Sequence, residues 1–139
     1  MKRIIIIDDD DSARTVLRGM LEDGGYEVAA EGRDGSEAVP LCRKHSPDVV
    51  IMDVRMPGTD GITAAGEISR TSPAAVVIIT AGADPDTIAR ATEAGVMGYL
   101  VKPVRSEELA PAVELASKRF SELRILADEN LELRGAVRA

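Results

Sequence analysis

The chain has 139 residues, 45% hydrophobic, 29% charged and 2% aromatic, with a formal net charge of −7. That balance fits one compact domain with an appendage, built on an aliphatic core, and excludes a disordered chain. The acidic surface argues against general affinity for nucleic acid or anionic lipid; the lone cysteine, Cys42, excludes an internal disulfide; no apolar run is long enough to span a bilayer.

The amino terminus leads directly into a short Ile run and then into acids, without the apolar stretch of a signal peptide, so a cytoplasmic location is expected. The Ile run, Arg3–Ile7, is apolar on consecutive positions and reads as a strand buried on both faces. Asp8, Asp9, Asp10 and Asp11 follow it. Such a run is ordinarily solvated or caps the next helix, and Asp11 or Ser12 is the expected cap of a helix over residues 11–23. Gly24-Gly25 ends that helix, where a left-handed residue is needed.

Glu27–Ala30 reads as a second strand, and residues 35–44 as a second helix. Cys42 in that helix is expected to be half-buried packing, and His45 at its end to lie on the surface. Ser46-Pro47-Asp48 breaks the chain before a third strand, Val49–Met52. Asp53 follows directly, before a loop holding Pro57, Gly58 and Gly61; alone, it is also explicable as a plain turn residue. A helix over 62–71 leads through Thr71-Ser72-Pro73 to a fourth strand, Val76–Ile79, and then to Thr80. A helix over 85–94 ends at Gly95; the fifth strand, Gly98–Val101, precedes Lys102 and Pro103. A last helix starts near Ser106, and Pro111 in its second turn removes a hydrogen bond and is expected to bend it.

Five alternating βα units imply an α/β fold, a parallel sheet with helices on both faces and right-handed crossovers. Ligands bind such sheets beyond the carboxyl ends of the strands, where the strand order reverses. Asp8, Asp9, Asp53, Thr80 and Lys102 all fall at such ends, gathering carboxylates, a hydroxyl and an ammonium at one edge. Any one of them has a bland explanation, but their coincidence does not. Crowded carboxylates repel, and a hard divalent cation such as Mg²⁺ relieves them through oxygen ligands. A carboxylate beside metal and ammonium suits phosphoryl transfer, with the Asp as nucleophile of an acyl phosphate.

The motifs IIIIDDD (Ile4–Asp10), DVVIMDVRMPGTDG (Asp48–Gly61), VVIITAGA (Val76–Ala83) and GYLVKP (Gly98–Pro103), in this order, resemble the receiver domains of two-component response regulators. The resemblance implies a doubly wound, flavodoxin-like sheet of order 2-1-3-4-5 and a phosphorylated switch fed by a histidine kinase. It implies Asp53 as phosphoacceptor and Asp8, Asp9, Asp53 and the carbonyl of Arg55 as Mg²⁺ ligands. By the same resemblance Lys102 pairs with the acyl phosphate, Thr80 moves toward it, and the rotamer of Tyr99 follows. The Lys102–Pro103 bond is expected to be cis, Ala81 is small and so leaves access to the site, and Val104 stands where many relatives carry Phe. The Arg55 side chain and Gly82 match positions that tune the lifetime of the phosphorylated state.

The division expected is a receiver over residues 1–116 and a helical extension over 117–139. Leu109, Ala112, Val113, Ala116 and Phe120 form a stripe suited to packing on the receiver. Beyond it, Leu123, Leu126, Asn130, Leu133 and Val137 follow an a/d spacing with a polar Asn at one a position, which points to a short parallel homodimer. The alternative is a frayed or folded-back helix in a monomer. The tail resembles the linking helix of antitermination regulators. Its nearly balanced charge is a poor RNA footprint, so direct nucleic-acid binding is not expected; the reading is either a truncated regulator or a stand-alone receiver. Two rivals remain: an aspartyl-phosphate phosphohydrolase, whose nucleophile would follow the first strand, and a receiver-like interaction module working without phosphorylation.

Overall fold

The structure, a computed structural model, describes residues 1–82 and 84–138, with side chains other than that of Ala83 described through residue 129. The order is β1 (Arg3–Ile7), α1 (Asp11–Asp23), β2 (Glu27–Gly32), a single 3₁₀ turn (Gly35–Glu37), α2 (Ala38–His45), β3 (Val49–Asp53), α3 (Gly61–Thr71), β4 (Ala75–Thr80), α4 (Pro85–Glu93), β5 (Gly98–Val101) and α5 (Ser106–Arg138). All five strands pair in parallel in the order β2-β1-β3-β4-β5. The crossover from β2 to β3 passes β1, so the order reverses between β1 and β3. Asp8 and Asp53 stand at that point.

The consecutive apolar residues of the strands divide between two cores because successive side chains face opposite ways. Ile4, Ile6, Val49, Ile51, Val77 and Ile79 pack with Leu17 and Leu21 of α1 and Leu109, Val113 and Ala116 of α5. Ile5, Ile7, Val50, Met52, Val76 and Ile78 pack with Ala38 and Cys42 of α2, Ile62, Ala65 and Ile68 of α3, and Ala91 of α4. The α5 stripe therefore docks as its spacing predicts, with Ala112 and Phe120 partly buried beside it. An exposed cluster pins the same helix: Glu114 accepts from Lys2 Nζ at 2.8 Å and from Tyr26 Oη at 2.7 Å.

The structure corrects several expectations. Asp10, not Asp11 or Ser12, caps α1: it is extended, and its carboxylate accepts from the N–H groups of Ser12 and Ala13. The cap must precede the first helical residue, and Asp11 already lies inside the helix. Gly25 supplies the left-handed residue at the far end, with φ +88°. β2 runs two residues further than its apolar run because Glu31 and Gly32 continue the ladder opposite Ile6 and Ile7. Cys42 is 4% exposed, a core residue and not half-buried packing, and its burial pushes the thiol up to about 11. His45 is half-buried, not on the open surface. Pro111 lies inside α5, which is continuous across it and across the expected boundary at residue 116.

Candidate functional site

β1 and β3 end side by side, with Ile7 paired to Met52, so the residues that follow emerge together at the carboxyl edge. Asp53 is itself the last residue of β3, and Thr80 the last of β4; both therefore point from fixed backbone. Asp8 is 1% exposed, Asp53 5% and Thr80 6%, whereas Asp9 is exposed. One carboxylate oxygen from each of Asp8, Asp9 and Asp53 lies within 4.8 Å of the others.

Lys102 follows β5, whose pairing with β4 carries it to the same edge. Its Nζ donates to Asp53 Oδ2 at 3.0 Å. The other Asp53 oxygen accepts from the Arg55 N–H at 3.3 Å, which folds the loop after β3 back over the acid. Gly61, the first residue of α3, permits this closeness: a Cβ there would lie 2.2 Å from the carbonyl oxygen of Asp53. Any side chain at Gly61 would push α3 away from the acid.

The electrostatics follow from the crowding. Asp8 Oδ1 accepts from the Asp10 N–H at 2.9 Å, while Oδ2 is buried without a hydrogen-bond partner. Burial raises the Asp8 carboxyl above the usual range, the Asp10 hydrogen bond opposes this, and the Asp53 charge adds to it. Burial alone would lower the Lys102 ammonium; its hydrogen bond to Asp53 and the charges of Asp53, Asp8 and Asp9 outweigh it, so the amine is held more strongly charged than usual. A buried, unpartnered carboxylate oxygen among three acids is the environment a small hard cation completes, so the donor set fits Mg²⁺.

The remaining residues divide. Thr80 Oγ1 donates to the Gly82 carbonyl at 2.8 Å and accepts from the Gly82 N–H at 3.3 Å, so the hydroxyl is engaged with its own loop and not with Asp53. Tyr99 is 49% exposed on β5, beside Ile88 and Thr92 of α4. The Arg55 side chain is exposed. Lys102–Pro103 is cis, as expected. Val104 lines a largely apolar cavity of about 610 Å³ between α1 and the loop after β5, reaching from Asp8 to Met20. A larger side chain at that position would narrow it. Leu123 and Leu126 of the expected seam are 53% and 55% exposed. Asn130, Leu133 and Val137 lie outside the described side chains. Among the described residues no helix is long and apolar enough to cross a membrane. The residue that pattern reading missed is Arg14, whose guanidinium reaches the Asp8 carbonyl. Its only sequence signal is an arginine in the helix just after the acids.

Residues 4–114 match the model of the response regulator receiver domain. The chain is 47% identical over 128 residues to the transcriptional regulatory protein PdtaR of Mycobacterium tuberculosis (strain H37Rv), covering 92% of this chain and 62% of that protein. It is 36% identical over 112 residues to the chemotaxis protein CheY of Bacillus subtilis (strain 168), covering 80% of this chain and 93% of CheY. The signal receiver domain of a modulated diguanylate cyclase from Desulfovibrio desulfuricans G20 superposes with a TM-score of 0.80 at 30% identity, covering 87% of this chain and 97% of that one.

Proposed function

The chain belongs to the response regulator receiver domain family, and on that premise we propose that Asp53 accepts a phosphoryl group from a histidine kinase in a Mg²⁺-dependent reaction. The observation that carries the reading is the Lys102–Asp53 contact of 3.0 Å beside a three-acid cluster whose buried Asp8 Oδ2 lacks a partner. The same contact favours Asp53 over an acid after β1, as the phosphohydrolase reading would require. Asp8, Asp9, Asp53 and the Arg55 carbonyl would hold the ion, with Asp8 acting partly through water. Bound there, Mg²⁺ supplies positive charge to the equatorial oxygens of the phosphoryl group in flight.

The chain's own residues do the rest. An Asp53 carboxylate oxygen attacks phosphorus as the bond to the kinase histidine breaks, giving an acyl phosphate on Asp53. Lys102 transfers its hydrogen bond from the carboxylate to the new phosphoryl oxygens. Thr80 exchanges the Gly82 carbonyl for the same oxygens, and Tyr99 turns inward behind it. The acyl phosphate, carrying about −2 where the carboxylate carried −1, thereby biases two arrangements of the β4–α4–β5 region.

In this reading residues 1–116 form the switch and 117–139 an extension that presents Leu123 and Leu126 to a second copy. The signal leaves through a homodimer or an output partner in transcription control, with no direct nucleic-acid contact by this chain. Asp53→Asn tests the site: with Mg²⁺ and a phosphodonor, wild type gains one phosphoryl group by mass spectrometry and the variant none. Labelling of the variant at the wild-type rate would overturn the assignment.

A further inference from the structure

Arg14 is unusual for an arginine in the first turns of an amphipathic helix: its side chain is only 12% exposed. Its donors go to three separate elements. Nη1 donates to the Asp8 carbonyl oxygen at 2.5 Å, Nε to Glu31 Oε1 on β2 at 3.2 Å, and Nη2 to Asp11 on α1. Arg33 donates to the same Asp11 oxygen, Oδ1, at 2.6 Å, and Arg18 donates to the second oxygen of Glu31. The two carboxylates neutralise the guanidinium and fix it in one place. We propose that Arg14 is a positioning residue for the acid pair, locking the Asp8–Asp9 peptide plane so that both carboxylates face Asp53.

Every backbone group of Asp8 is then tied. Its N–H donates to the Gly32 carbonyl at 3.0 Å, its carbonyl accepts from Arg14, and its Oδ1 is held by the Asp10 N–H. Only Oδ2 remains without a partner, on a residue of the three-acid cluster. Asp9 is exposed and owes its direction to the peptide plane that precedes it. Removing Arg14 leaves a part-buried carbonyl unpaired, and rotation of the Asp8–Asp9 peptide toward solvent relieves it. That rotation turns the Asp9 carboxylate out of the cluster. Lysine cannot replace the fork, because one ammonium cannot serve three acceptors in fixed directions.

The proposal rests on the metal reading above, and the sign of one measurement separates it from electrostatics alone. Removing a positive charge near an acidic site strengthens cation binding; loosening the acid pair weakens it. Mg²⁺ affinity is measured by isothermal titration calorimetry on wild type, Asp9→Asn, Arg14→Lys, Arg14→Met and Arg18→Ala. Thermal melts in chelator verify that each variant is folded. The expectation is about tenfold weaker Mg²⁺ binding for both Arg14 variants, the scale typical of residues that orient ligands. Arg18→Ala, which breaks an ion pair to the same Glu31 without touching the Asp8 carbonyl, should bind as wild type does. Equal or tighter binding by folded Arg14→Lys or Arg14→Met, or equal weakening by Arg18→Ala, would overturn the positioning role. Should Arg14→Met fail to fold, Arg14→Lys decides alone. Absence of Mg²⁺ binding in wild type itself, or undiminished binding by Asp9→Asn, would refute the metal reading instead.

Discussion

Replacing Asp8 by Asn should stabilise the metal-free protein while removing its response to Mg²⁺. The buried Oδ2 of Asp8 has no hydrogen-bond partner, and one Asp8 oxygen lies within 4.8 Å of oxygens of Asp9 and Asp53. An unsatisfied buried polar group costs about 1–3 kcal/mol, and more when charged. Asparagine keeps Oδ1 for the Asp10 N–H and puts an NH₂ donor in place of the orphan oxygen, in a cluster with the carboxylates of Asp9 and Asp53. A gain of roughly 1–3 kcal/mol corresponds to about 3–12 °C in the melting midpoint for a domain of this size. Wild type recovers the deficit through the ion: at a Mg²⁺ concentration of about 100 times its Kd, linkage adds roughly 2.7 kcal/mol. Melts by circular dichroism, in chelator and across a Mg²⁺ series, should therefore show the variant above wild type at zero metal and nearly flat thereafter. A variant midpoint below wild type in chelator would refute the reasoning, because the Asp8 carboxylate would then be satisfied in the apo state.

Other outcomes follow from single contacts. Lys102→Ala should slow phosphorylation of Asp53 by about 10²-fold or more, the range for removing one preorganised charge donor; stopped-flow or quenched labelling with a small phosphodonor measures it. Gly61→Ala places a Cβ 2.2 Å from the Asp53 carbonyl, so both the melting midpoint and the labelling rate should fall, and unchanged values of both would contradict the close approach. Cys42, buried and with its thiol pushed up to about 11, should resist iodoacetamide at neutral pH in the native state and react once urea unfolds the chain, as read by intact mass. Glu114 is held below the usual carboxylate range by the Lys2 hydrogen bond and then by Tyr26. A depressed acid stabilises the fold above its unfolded pKa, about 4.3, and the benefit is lost as pH falls through the lower folded value. The side chain is 53% exposed, so Glu114→Gln should cost no more than about 1 kcal/mol at pH 7 after solvent screening. An equal deficit at acid and neutral pH would contradict the ion-pair origin.

The architecture was legible because consecutive Ile and Val runs have only one stable environment, a strand covered on both faces, and glycines and prolines mark the intervals between them. Polar residues at the ends of those runs had to meet at one edge once the sheet was parallel. The meeting of Asp8, Asp9, Asp53 and Lys102 was thus legible in sequence order, and the a/d-like spacing of Leu109, Val113 and Ala116 named the face of α5 that docks.

Tertiary structure decided what depends on neighbours distant in the chain. Asp10 and not Asp11 became the cap because the packed helix begins at Asp11 and leaves Asp10 as the extended residue before it. Cys42 took its burial from α3 and the sheet, which no local pattern reports. The direction of the Thr80 hydroxyl toward Gly82, the orphaned oxygen of Asp8 and the reach of Arg14 to the Asp8 carbonyl each need atoms from separate elements fixed in space. Periodicity states which face of an element is apolar, because burial acts on that pattern. A hydrogen bond is set by distance and angle between groups far apart in sequence, and those exist only after the chain has packed.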